Sequence, residues 1–117
     1  MTQFILLLRG GYEAYEGFTP EQVQQAIQKY RTWSHNLKAR GALVGALKLR
    51  DEGGHRLEIQ NGQLVVDGPF AETKETIAGY FVIRAADYAA ACAIAKECPV
   101  LADGGSVEVR EIESEST

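Results

Sequence analysis

The chain has 117 residues, a net charge of −4, 45% hydrophobic and 24% charged residues, the profile of a single soluble globular domain long enough to bury a real core. No run of Lys or Arg exists, which argues against direct binding to nucleic acid or to an anionic membrane surface. The apolar run Phe4-Ile5-Leu6-Leu7-Leu8 is too short for a secretion signal or a membrane span, so a cytoplasmic location is expected.

Gln3 to Arg9 reads as a strand with Phe4, Leu6 and Leu8 on one face and Ile5 and Leu7 on the other. A strand apolar on both faces belongs in the middle of a sheet. Gly10-Gly11 ends it, and a polar loop carrying Tyr12, Tyr15 and Phe18 follows. Thr19-Pro20-Glu21-Gln22 opens a helix, with Thr19 as N-cap, Pro20 at the first helical position and Gln22 completing a capping box. Val23, Ala26, Ile27, Tyr30, Trp33, Ser34 and Leu37 form one apolar stripe, which predicts burial against a sheet, while His35 falls on the opposite arc. Gly41 stands at a C-cap position.

Ala42 to Leu49 reads as a second strand, with Leu43, Leu47 and Leu49 on one face and Val44 and Ala46 on the other. Asn61-Gly62 predicts a type I′ turn and a hairpin that pairs Gln60 with Gln63, Ile59 with Leu64 and Leu57 with Val66. Ile77 to Arg84 is again apolar on both faces, and Gly79 within it suggests a close backbone approach. Asp87 caps an alanine-rich second helix, Pro99 follows its end, and Ser106 to Ile112 has the half-polar pattern of an edge strand. Residues 114–117 read as a disordered tail after a single domain spanning residues 1–113. Cys92 and Cys98 do not make a CxxC pair and would point in different directions on one helix, so two buried or half-buried free thiols are expected.

The order β-α-β-(hairpin)-β-α-β is an α+β, ferredoxin-like plan with an inserted hairpin. Its sheet order, fourth-first-third-second, places in the middle the two strands that are apolar on both faces. Two helices can cover only one face of that sheet. A second copy of the chain is the economical cover for the other, so a homodimer is expected.

The densest polar stretch joins the hairpin to the third main strand. Asp67-Gly68-Pro69-Phe70 followed by Ala71-Glu72-Thr73-Lys74-Glu75 resembles the signature of the DGPF, or YCII-related, domain family. Gly79-Tyr80 and the closing segment from Gly104 to Arg110 extend the resemblance over nearly the whole chain. It implies a dimeric α+β barrel. It also implies, for some members, an association with extracytoplasmic-function sigma factors. In the YCII-like branch it implies an active pair of a helix histidine and an aspartate. Counting back from Arg40-Gly41, the histidine position falls on Tyr30, so this chain departs from that pattern.

On the residues themselves, Asp67 is either a turn residue or a functional carboxylate suited to accepting hydrogen bonds or acting as a base. Glu72, Thr73, Lys74 and Glu75 form either a salt-bridged surface loop or the polar rim of a small-molecule site. Tyr30 is a core residue or a weak catalytic candidate alongside Asp67, and Phe70 would anchor the loop in the core. Two distant histidines, glycine pairs that fit no P-loop and the lack of a nucleophile elbow give no reason to expect a metal or a cofactor. The expectation is a homodimer binding a small polar or aromatic molecule beside Asp67–Glu75, with simple acid–base chemistry there. The alternative is a non-catalytic accessory or regulatory module linked to sigma factors.

Overall fold

β1 (Thr2–Arg9) lies in the middle of a four-stranded antiparallel sheet, between β5 (Ile77–Ala85) and β6 (Ser106–Glu111), with β2 (Leu43–Lys48) on the far side of β5. This is the expected ferredoxin-like order, and its cause is the expected one: the strands without a polar face avoid the edges. The structure is a computed structural model and describes residues 1–50, 54–68 and 76–114.

Three helices lie on one face: α1 (Pro20–Ala39), α2 (Tyr88–Ala95) and the short α3 (Pro99–Ala102). The Thr19–Gln22 capping box forms in full, with the Gln22 N–H on Thr19 Oγ1 at 3.2 Å and the Thr19 N–H on Gln22 Oε1 at 2.8 Å. Asp87 caps α2 by accepting from the Ala90 N–H at 2.9 Å. Alanine lets α2 lie close, and Ala91 and Ala95 are buried against the strands. Phe4, Leu6, Leu37 and Ile83 have no exposed surface and form the centre of the core. Tyr88 packs edge-on to Phe4, with ring centroids 4.9 Å apart, and its hydroxyl accepts from the Glu111 N–H at 2.7 Å, tying edge strand β6 to α2.

Three local expectations are revised. Pro99 does not merely follow a helix; it opens α3, where its missing N–H is no loss. α2 stops at Ala95, so Cys98 belongs to the α3 cap, where it is buried, whereas Cys92 is exposed; both thiols are free. In β2 the register slips between Leu43 and Gly45. Leu43 therefore faces the helices opposite Ile83, while Leu47 lies opposite Tyr80 on the other face. One extra residue in a strand inverts the alternation beyond it.

The hairpin forms in the predicted register as β3 (Arg56–Gln60) and β4 (Gln63–Asp67), turning on Asn61 and Gly62, both at positive φ. Among the described residues it pairs with no strand of the main sheet. Its apolar face stays open, with Leu57, Ile59, Leu64 and Val66 exposed by 56 to 69%. The radius of gyration is 16.3 Å, against roughly 13 Å for a compact chain of this length.

Candidate functional site

The stripe on α1 meets two different floors. Its C-terminal half brings Trp33 and Leu37 down on the sheet, and the indole lies 4.6 Å from the Phe81 ring. Its N-terminal half passes over Gly10, Gly11, Ala46, Ala78 and Gly79, residues too small to fill the space beneath a helix. The missing volume is a cleft of about 530 Å³, walled also by Leu8, Val23, Ala26, Ile27 and Phe81. Val23 and Ile27, expected to be buried, are 37% and 39% exposed because they border this opening. Gly79 is required where it stands, since a Cβ there would come 2.8 Å from the Leu47 carbonyl oxygen.

Three polar side chains reach this apolar cleft: Tyr15, Tyr30 and Lys48. Lys48 sits at its border with Nζ on the Leu49 carbonyl oxygen at 3.0 Å. Tyr15 ends the 3-10 turn Tyr12–Tyr15 and is braced by the edge of Phe18, with centroids 5.5 Å apart. Its hydroxyl donates to Asp103 Oδ2 at 2.5 Å. Burial, with the nearby Cys98, Tyr15 and Asp103, pushes the Tyr30 phenol far above its usual range. It therefore holds its proton at any pH near neutrality and acts here as a hydrogen-bonding group.

Of the residues singled out from sequence, Tyr30 lies in the cleft. Asp67 is exposed at the end of β4, opposite Arg56, and is not among the cleft's walls. Glu72, Thr73, Lys74 and Glu75, like Phe70 and residues 115–117, lie outside the described residues. The turn after Asp67 does need its glycine: Gly68 has φ +123°, and a Cβ there would collide with the Gly54 carbonyl oxygen and approach His55 Cα to 2.9 Å. The chain rejoins the main sheet at Thr76, whose carbonyl oxygen accepts from the Gly10 N–H at 3.0 Å. Gly10 is part of the cleft wall, so Thr76 stands at the cleft's edge.

Sequence reasoning missed Tyr15 and Asp103. No spacing rule links residues 88 apart. The available signals were Tyr15 and Phe18, three residues apart in a glycine-bounded loop, and an aspartate directly before Gly104-Gly105.

A second concavity of about 850 Å³ runs along the opposite flank of α1, bordered by Gln25, Gln28, Asn36, Arg40 and Glu97. Trp33 also borders it, and its buried Nε1–H has no acceptor among the described residues. Among the described residues no group of His, Cys, Asp and Glu is placed to hold a metal ion, and no helix is long and apolar enough to cross a membrane.

The family model of the YCII-related domain matches residues 3–116. No curated protein matches the chain.

Proposed function

The chain belongs to the YCII-related domain family, and on that basis we propose that it is a homodimeric binding domain for a small, largely apolar or aromatic molecule, held in the cleft between α1 and the sheet. The observation that carries this is the cleft itself: a cavity of about 530 Å³ whose walls are mostly apolar and include Tyr15, Tyr30 and Lys48. That is the usual make-up of a small-molecule site. Any acid–base step would fall to Asp67 with the Glu72–Glu75 stretch, since Tyr30 keeps its proton.

Dimerisation is supported by apolar surface that stays partly or fully exposed. On the helix-free face Ile5, Leu7, Tyr80 and Val82 lie together, with Leu47 62% exposed beside them. Toward β6 the same face turns charged: Glu108 pairs with Arg9 at 3.4 Å and with Arg110 at 3.3 Å. The open hairpin adds a second apolar patch. A second copy covers both at once, and a stable interface of this kind buries on the order of 2,000 Å². The same patches would also suit the accessory role beside a sigma factor, which is the competing reading.

Two measurements test the proposal. Light scattering at micromolar concentration should give twice the 12.8 kDa of one chain; a monomer would remove the homodimer. A thermal-shift screen of small aromatic metabolites should find ligands that add about 2.7 kcal/mol of stability at 100 times their Kd. The amide signals of Leu8, Gly79 and Phe81 should move on binding. If hits shift only other parts of the molecule, the cleft is not the site. Asp67→Asn should keep the fold, and lost turnover with retained binding would give Asp67 the chemistry.

A further inference from the structure

The register slip in β2 decides which side chain stands under α1. Leu43 lies opposite Ile83, and a strand continued in that register would set Leu47 opposite Gly79, on the helix side. With the slip between Leu43 and Gly45, Ala46 lies opposite Phe81 and Lys48 opposite Gly79, while Leu47 turns to the helix-free face, 62% exposed. Burial by itself favours the reverse, a leucine beneath an apolar helix stripe and a lysine in water. The slip thus keeps a large apolar side chain out of the space under the N-terminal half of α1 and brings an ammonium to its border. Gly79 permits the exchange, since a Cβ there would come 3.3 Å from Lys48 Cα. The Leu49 N–H, on the Ala78 carbonyl oxygen at 2.9 Å, fixes the strand just beyond.

Among the described residues that wall the cleft, Lys48 carries the one formal charge. The nearest acid on the page, Asp103, is not a wall; it accepts the Tyr15 hydroxyl and borders the concavity on the other flank of α1. Lys48 belongs to β2 at one edge of the sheet, whereas Asp103 precedes β6 at the other. The cleft is therefore polarised, with its positive end at the Lys48 border. Lys48 Nζ gives a hydrogen to the Leu49 carbonyl oxygen, but an ammonium has three to give, and the contacts of an exposed lysine are weak enough to exchange with an incoming anion. Apolar walls strengthen its field at the opening. Resting on the reading of the cleft as a ligand site, we propose that the ligand is an aromatic or alicyclic carboxylate. Its ring lies between α1 and Phe81, and its carboxylate accepts from Lys48 Nζ at the border. A neutral amide of the same shape loses the charge attraction, and a cation is repelled.

The probes are three molecules of similar shape: 2-naphthoate, an anion; 2-naphthamide, its neutral counterpart; and 2-naphthylmethylammonium, a cation. Binding is followed by titration at neutral pH together with the amide shifts of Leu8, Gly79 and Phe81. 2-Naphthoate should bind at least about fivefold tighter than 2-naphthamide, between the worth of an exposed ion pair and that of a hydrogen bond to a charged group, with the cation weakest. Lys48→Met keeps an unbranched apolar stem and removes the charge. 2-Naphthoate should then fall to the level of 2-naphthamide, whose own affinity changes little. Lys48→Arg should keep the preference, and Lys48→Glu should reverse it in favour of the cation. Lys48 is exposed on an edge strand, so these variants should fold; melting curves check each, and Lys48→Glu serves if Lys48→Met does not fold. If no probe moves the cleft amides, the cleft reading fails and the carboxylate assignment with it. If the probes bind there but 2-naphthamide matches 2-naphthoate, or the preference survives Lys48→Met or Lys48→Glu, the cleft reading stands and the carboxylate assignment is overturned.

Discussion

The two halves of α1 carry one continuous apolar stripe and end in opposite states. Trp33 and Leu37 are 6% and 0% exposed, whereas Val23 and Ile27 are 37% and 39% exposed. The stripe does not differ between them; the strands beneath do. Phe81 and the buried core fill the space under the C-terminal half, and Gly79, Ala78 and Gly10 leave it open under the N-terminal half. An amphipathic helix thus states which side turns inward, and the partner surface decides whether that side closes into core or borders a cavity.

The sharpest way to break this contrast is truncation in the sealed half. Trp33→Ala should lower the unfolding free energy by about 3–5 kcal/mol, because a large ring is removed from a packed site. Denaturant midpoints measure it, and a cost under about 1 kcal/mol would mean that the sealed half is no better packed than the open one.

The sealed region also holds Cys98, 2% exposed. Burial is the main reason its thiol is pushed up from 9.0 to about 11. The folded state keeps this proton where the unfolded chain loses it. The stabilising contribution is therefore complete below pH 9.0 and disappears as the pH rises to about 11. About 2–3 kcal/mol is at stake, at roughly 1.4 kcal/mol per unit. Tyr30, raised in the same sense from 10.0, extends the loss to higher pH. Cys98→Ala should flatten the stability profile between pH 9.0 and about 11; an unchanged slope there would assign the loss to other groups.

In the open half the informative change is addition. Ala26→Leu puts three more carbons into the cleft. It should cut the affinity for a small aromatic probe such as 2-naphthol by at least about tenfold while stability stays within about 1 kcal/mol, since the added side chain fills empty space. Unaltered affinity would place the probe elsewhere. The smallest effect is expected from Ile27→Ala, no more than about 1 kcal/mol, because this side chain is already partly solvated. A cost like that of Trp33→Ala would show that the cleft is closed in solution.

Legibility from sequence was uneven in the same way. The capping box at Thr19, the Asp87 cap, the hairpin register from Asn61-Gly62 and the central position of β1 and β5 were all readable, because each rests on neighbours a few residues apart or on strict alternation. Leu47 was assigned to the wrong face because one residue bulged in β2, and alternation has no way to signal an insertion of that kind. At the candidate site, Tyr30 was found as a position on a stripe and, by resemblance, at the family's histidine position, whereas the contact of Tyr15 with Asp103 was not found at all.

What the sequence determined by itself is therefore the set of elements, their order and the sheet that they build, because backbone hydrogen bonding and hydrophobic periodicity are local constraints written residue by residue. The tertiary structure alone decided which part of α1 stands over glycines, that the hairpin leaves Leu57, Ile59, Leu64 and Val66 in the open, and that Tyr15 meets Asp103 across 88 residues. Those outcomes depend on volumes and directions that exist only once distant segments are packed against one another.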